Sequence, residues 1–253
     1  MEKKARIWSA LILLVGLSTL AYHYRAPIRK YLLKSFKREA AHWHQSEQYL
    51  GKNEKRFCWG IDISHHQRTI DWKLLVEKNK PDFVFLKTTE GSTHVDTKYS
   101  TYLKKLRGFK IRVGAYHFFS YQSSGKSQAK NFIKNAKLTK GDLHPVLDVE
   151  FRNRMNSPTW IRREIKSFCT EIKNEYGVYP IIYCECAYYH KYLKRDLANL
   201  NFWISDLWRE PTCDYVIWQY TDKGWVHGIG AIDNNRFHED KKISDFLISK
   251  SSF

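Results

Sequence analysis

From residue 57 onward the chain alternates between two hydrophobic rhythms. Short runs rich in β-branched and aromatic residues occur at 58–64 (CWGIDIS), 83–89 (FVFLKTT), 112–119 (RVGAYHFF), 144–150 (HPVLDVE), 179–185 (YPIIYCE), 201–206 (NFWISD) and 215–221 (YVIWQYT), and read as strands. A short final strand is expected near 230–233. Between the runs, apolar residues recur at helical spacing. In 158–176 these are Ile161, Ile165, Phe168 and Ile172, with Ser157 as N-cap, Pro158 at the first helical position and Gly177 as C-terminal cap. Shorter helices are expected at 97–107 and 126–136, and a closing helix at 239–249. Seven or eight strands alternating with helices predict an α/β fold, a closed or nearly closed TIM-like (β/α) barrel more than an open sheet, in one domain over 57–253. No internal repeat is visible.

The N-terminus has a different pattern. A basic segment at 2–6 precedes an uncharged apolar run from Ile7 to Ala21, followed by Tyr22, Tyr24 and a second basic cluster (Arg25, Arg29, Lys30, Lys34, Lys37, Arg38). Two readings compete for residues 1–24. One is a cleaved signal peptide with Thr19 and Ala21 near the cleavage point. The other is an uncleaved anchor, holding the membrane through residues 7–24 with Trp8, Tyr22 and Tyr24 at its interfaces. The anchor is preferred slightly, because no clear small-residue site ends the run. Residues 25–56 form a basic juxtamembrane connector. Either reading places the barrel outside the cytoplasm, in the cell envelope or secreted.

Composition refines this picture. The formal net charge is +17, and 12 basic against 4 acidic residues place +8 of it in residues 1–56. A basic surface favours an anionic partner such as lipid or an acidic wall polymer. No nucleic-acid-binding motif is present, so no nucleic acid is expected as partner. Aromatics make up 15% of the chain, which suits either a large core or a sugar-binding cleft whose rings stack on C–H faces. Of the five cysteines, Cys184 and Cys186 share a face of one expected strand. That could be half a metal site, but no matching His/Cys cluster supplies further ligands, so Cys58, Cys169, Cys184, Cys186 and Cys213 read as small buried apolar residues.

Barrel enzymes carry their chemistry at the C-terminal ends of the strands. Asp62 stands near the end of the first strand, and Asp148 and Glu150 at the end of the fourth. Side chains alternate along VLDVE, so Val146, Asp148 and Glu150 share one face, with the two acids roughly 6–7 Å apart at Cα. Each carboxylate makes the other harder to ionise. Hydrolysis of a glycosidic bond needs such a pair, one acid protonated for the leaving oxygen and one ionised beside the sugar carbon. Alone, D-x-E is a weak motif. Asp233, followed by Asn234 and Asn235, reads by itself as a turn residue. His65 and His66, adjacent on an expected strand, would point opposite ways and make a poor metal pair. His117 reads as a hydrogen-bonded barrel residue.

An ordered series of motifs then adds a resemblance. GIDISHHQ at 60–67 with IDW at 70–72, FVFLKTTEG at 83–91 with Asp96, GAYHFF at 114–119, QAKNF at 128–132, PVLDVE at 145–150, YPIIYC at 179–184, FWIS at 202–205, WQYT at 218–221 and GAIDNNRF at 230–237 together resemble the glycoside hydrolase family 25 lysozymes, muramidases of the Chalaropsis type. The resemblance runs from about Trp59 to Phe237. It implies a modified β/α barrel, no metal and no organic cofactor, and cleavage of the β-1,4 bond after N-acetylmuramic acid in peptidoglycan glycan strands, with retention of configuration. Carried over by position, it implies Glu150 as general acid and Asp148 as the ionised partner, acting as nucleophile or orienting the substrate's N-acetyl group. Asp62 and Asp233 become the two further carboxylates, and Tyr116, Tyr183, Trp203, Trp218 and Gln219 the sugar contacts. Arg68 stands where the family usually has Gly, so the first loop differs. Two alternatives stand beside peptidoglycan hydrolysis: a peptidoglycan-binding envelope protein without turnover, and a hydrolase of another N-acetylhexosamine glycan.

Overall fold

The computed structural model describes residues 57–67, 69–152 and 155–249. The N-terminal readings therefore lie outside the described residues, among which no helix is long and apolar enough to cross a membrane. The strands are β1 (Trp59–Ile63), β2 (Phe83–Glu90), β3 (His94–Val95), β4 (Arg112–Phe118), β5 (Val146–Asp148), β6 (Ile181–Glu185), β7 (Phe202–Ser205), β8 (Ile217–Val226) and β9 (Gly230–Phe237). The larger helices are α1 (Trp72–Asn79), α2 (Tyr99–Gly108), α3 (Gly125–Asn135) and α4 (Pro158–Tyr176). The strands form one sheet in the order β1-β9-β8-β7-β6-β5-β4-β2-β3, and a β1–β2 pairing closes it. Eight strands make the barrel, and β3 hangs on the edge of β2.

Seven barrel strands run parallel. The eighth, β9, is antiparallel to both β8 and β1. The expected short segment at 230–233 is thus an eight-residue strand that completes the circle, and it follows β8 through a hairpin with no intervening helix. Gly228 makes this turn possible: its φ is +85°, and a Cβ there would lie 2.3 Å from the Asp71 carbonyl oxygen. Asp71 also caps α1, its Oδ1 accepting from the Leu74 N–H.

Alternation along the strands builds the barrel interior in layers. Phe83, Phe85, Val146, Ile181, Trp203, Ile217 and Phe237 fill the lower part. Phe83 and Phe85 fit because glycines face them. A Cβ on Gly60 would come within 2.5 Å of the Phe83 ring, and one on Gly114 within 2.1 Å of Phe85. The opposite faces, including Ile61, Val84, Val113 and Ile182, pack under the helices. Helix α4 spans the expected 158–176, with Ser157 capping the Trp160 N–H, Gly177 in the left-handed region (φ 75°), and Ile161, Ile165, Phe168 and Ile172 fully buried.

Two expectations are corrected. The closing helix at 239–249 is instead a four-residue 3₁₀ turn, Ile243–Phe246, followed by extended chain. Leu247 bridges to Leu143, and the Ile248 N–H donates to the Asp142 carbonyl (2.8 Å). Phe246 plugs the barrel floor against Phe237 and His144, and this burial outweighs helical spacing over so short a run. The cysteines also divide. Cys169 and Cys184 are buried thiols, but β6 ends at Glu185 and the chain turns into a helical segment over 186–197. Cys186 therefore leaves the face of Cys184 and is disulfide-bonded to Cys213 in the β7–β8 loop.

Candidate active site

Above the apolar layers, the inward positions turn polar and ionisable. A cleft opens at the C-terminal ends of the parallel strands, lined by Asp62 of β1, Lys87 and Glu90 of β2, Tyr116 and Phe118 of β4, Asp148 of β5, Glu150 and Arg152 just beyond it, Tyr183 of β6, Trp203 of β7, Gln219 of β8 and Asp233 of β9, with Ser64 and His66 at the rim. The structure thus brings together all four expected carboxylates and four of the five expected sugar contacts.

Trp218 is the exception. Ile217 and Gln219 face inward, so the residue between them faces out. Its indole N–H donates to the Asp206 carbonyl (2.8 Å), and the Arg236 guanidinium lies over its ring. Trp218 and Gln219 cannot share a cleft from one regular strand, an inconsistency already present in the expectation. Trp203 does line the cleft, but as its floor. It is 2% exposed, its indole N–H donates to Asn235 Oδ1 (3.0 Å), and its ring packs against Phe85 and Tyr183.

A hydrogen-bond relay fixes Asp62. Its Oδ2 accepts from Asn235 Nδ2 (2.8 Å) and, more weakly, from Gln219 Nε2 (3.4 Å). Gln219 Oε1 accepts from the Tyr183 and Ser205 hydroxyls, both at 2.8 Å. Asn235 and Ser205, which the sequence reading missed, hold the side chains of Asp62 and Gln219 in this relay. The signal for Asn235 is its place two residues after Asp233, on the same face of β9.

The carboxylates differ in what surrounds them. Burial pushes Asp62 up to about 6, against the opposing hydrogen bonds from Asn235 and Gln219. Burial, with the nearby charges of Asp62, Asp222 and Glu150, pushes Asp233 up to about 8. Asp148 is 9% exposed, and its Oδ1 has no hydrogen-bond partner among the described residues. Burial and then the Glu150 and Asp62 charges hold it well above the ordinary carboxylate range. The surroundings therefore make ionisation of Asp148 costly in the free protein. Burial also raises Glu150, opposed mainly by Arg152. Glu150 is held through its backbone, whose carbonyl accepts from the Tyr121 hydroxyl (2.7 Å). Burial keeps Tyr116 and Tyr183 as neutral phenols.

The histidines are placed otherwise. His117 is fully buried behind the cleft, between Thr89 Oγ1 and Gln128 Oε1, and burial lowers it to about 4. It is the hydrogen-bonded barrel residue expected. His65 and His66 lie in a 3₁₀ turn, not a strand, so their rings sit side by side 4.0 Å apart. His65 is tied to Asp96 (2.7 Å), and His66 faces the cleft.

A pH-dependent stability follows from the Asp233 environment. A folded-state value near 8 against an ordinary 3.8 means the folded state binds the extra proton across this window. Stability contributed by protonated Asp233 is therefore lost as pH rises from about 4 to about 8. Asp233→Asn is expected to match wild type at pH 4 and exceed it at pH 8, by on the order of 1–3 kcal/mol after allowing for partial solvent screening. Urea denaturation of both proteins at several pH values checks this, and a difference independent of pH would refute it.

Residues 61–229 match the glycosyl hydrolases family 25. The Escherichia coli K12 protein YegX, itself uncharacterised, is 32% identical over 188 residues, covering 71% of this chain and 69% of its own. A family 25 glycosyl hydrolase from Bacillus anthracis superposes with a TM-score of 0.69 at 31% identity, covering 76% of this chain and 95% of that structure. A bacterial lysozyme from Streptomyces coelicolor superposes at 0.67 and 27% identity, covering 77% and 97%. With a closed eight-stranded barrel and its carboxylates gathered at one end, the chain belongs to glycosyl hydrolase family 25 and is a glycoside hydrolase of the lysozyme type.

Proposed function

We propose that this protein is a peptidoglycan hydrolase that cleaves the β-1,4 bond between N-acetylmuramic acid and N-acetylglucosamine. The observation that carries the reading is the pair on β5 and its extension: Glu150 near the mouth of the cleft, and Asp148 buried below it on the same face. Glu150, raised by burial, is the proton donor to the leaving sugar oxygen. Asp148 Oδ1 is a buried acceptor to which no described residue donates. The N–H of the sugar's 2-acetamido group is a donor of the right kind. Held there, the acetamide carbonyl faces the anomeric carbon and serves as the internal nucleophile. Asp62, steadied by Asn235 and Gln219, supplies negative potential for the developing oxocarbenium charge, and Asp233, pushed up to about 8, faces it as a neutral carboxyl near neutral pH. Tyr116, Tyr183, Gln219 and Trp203 provide the floor and polar contacts for the sugars. The substrate lies outside the cytoplasm, in keeping with the expectation for residues 1–24.

The test is product analysis. Purified peptidoglycan is digested with the full-length protein, reduced with borohydride and examined by mass spectrometry. Reduced muramic acid at the new ends is the expected result. Reduced glucosamine ends would move the cut to the other glycosidic bond, and co-sedimentation without cleavage would favour a binding role.

A further inference from the structure

The cleft contains two cations that the hydrolysis does not require. Lys87 is committed: its ammonium lies 2.7 Å from Glu90 Oε2, and its side chain is 11% exposed. Burial would raise Glu90, but the Lys87 bond and charge prevail, with Arg152 adding to them, and hold it below its ordinary value. Arg152 is placed differently. Its side chain is 46% exposed, and its guanidinium stacks on the Phe118 ring at 4.4 Å, the same ring that Lys87 approaches at 4.8 Å. Its contact with Glu150 Oε2 is 3.8 Å, too long for a hydrogen bond. The planar fork is thus oriented by Phe118, opens to the cleft, and is only loosely engaged by the carboxylate beside it.

A cation in this position works against Glu150 in its proposed role, because it favours the ionised form of a group that has to deliver a proton. The conflict disappears if the guanidinium changes partner when substrate arrives. We propose that Arg152 is the receptor for a carboxylate carried by the glycan, and that this carboxylate replaces Glu150 as its ion-pair partner in the complex. The inference rests on the muramidase reading and deepens it by naming the recognised group. Muramic acid differs from glucosamine by a lactyl ether that ends in a carboxyl group. A guanidinium binds a carboxylate in the bidentate manner an ammonium cannot match. The carboxylate has two possible sources, the lactyl group itself where no peptide is attached, or the acidic residues of an attached stem peptide. Arg152 acts as a specificity and positioning residue: it selects an anionic glycan over a neutral one, and its change of partner leaves Glu150 protonated where the proton is needed.

The experiment uses full-length wild type, Arg152→Gln and Arg152→Lys on three substrates. These are glycan strands stripped of peptides, the same strands with their lactyl carboxylates capped as neutral methylamides, and intact peptidoglycan. For a lactyl receptor, wild type is expected to favour free over capped strands by about tenfold in kcat/KM, mostly through KM. Arg152→Gln loses that preference, cleaving free and capped strands with equal kcat/KM, and Arg152→Lys keeps part of it. A preference that Arg152→Gln abolishes only on intact peptidoglycan assigns the carboxylate to the stem peptide. A second readout separates this role from a structural one. Removing the cation raises Glu150, so the alkaline limb of kcat/KM moves to higher pH in Arg152→Gln. An equal loss on all three substrates with an unmoved limb would overturn the proposal, as would a wild type indifferent to the charge. If wild type cleaves none of them, the muramidase reading has failed, and calorimetry with a muramic-acid disaccharide, free and capped, decides whether Arg152 binds the carboxylate.

Discussion

Replacing Glu150 with Gln is expected to lower kcat on peptidoglycan by about 10²–10⁴-fold while leaving the fold and the affinity for the wall intact. At 1.36 kcal/mol per tenfold, that is about 3–5 kcal/mol of lost transition-state stabilisation. The amide keeps the size of the carboxyl and can still accept or donate hydrogen bonds, but it cannot release a proton to the leaving oxygen. Folding should be unharmed, because burial already makes the charged form of Glu150 costly, and its backbone anchor through Tyr121 does not involve the side chain. A β-glycoside with an activated aryl leaving group gives the sharper comparison. Its departure needs little protonation, so the defect in Glu150→Gln should shrink with that substrate and remain large with wall glycan. Should the variant keep more than a tenth of wild-type kcat on the wall, the acid lies elsewhere. Asp233, pushed up to about 8, is then the next candidate.

Gly125→Ala is expected to be the most damaging single-methyl change in the barrel, costing more than about 3 kcal/mol and reducing soluble yield. The cause is close approach and not backbone conformation. A Cβ at Gly125 would stand 1.8 Å from the Glu164 carbonyl oxygen, 2.7 Å from its carbon and 3.0 Å from the Phe168 nitrogen. These are main-chain atoms of α4 and cannot rotate aside, so α3 would have to move away. The Gly125 N–H also donates to Glu164 Oε2 at 2.9 Å, and that bond would be lost. The damage reaches the cleft through α3. Gln128 accepts from the Ser120 N–H and bonds His117, and the loop beyond leads to Tyr121, which holds the Glu150 carbonyl. Gly108→Ala is the matched control, because a Cβ there meets nothing within 4 Å at the end of α2. It should leave stability unchanged or raise it by up to about 1 kcal/mol. Thermal unfolding of the two variants beside wild type measures both effects, and similar midpoints for all three would contradict the packing argument.

Much of this site was readable in one dimension, and for local reasons. The period of two in VLDVE puts Asp148 and Glu150 on one face of β5 and its extension wherever that strand lies, and Ser157, Pro158 and Gly177 bound α4 by chemistry that acts within a turn of the chain. The same period could have separated Trp218 from Gln219, since neighbours on a strand cannot face one cavity. The rest depended on partners far away. Asp62 and Asn235 meet across 173 residues because β9 turns antiparallel and closes against β1. Nothing within either segment specifies that register. Phe246 leaves a helical rhythm because the barrel floor offers it more burial than an exposed turn of helix could. Cys186 leaves Cys184 because β6 ends one residue before it and Cys213 lies within reach. Local periodicity and caps thus determined which residues the chain could present. Closure of the barrel decided which were buried together, and with that which carboxyls are harder to ionise, because desolvation and mutual charge arise only once distant strands are side by side.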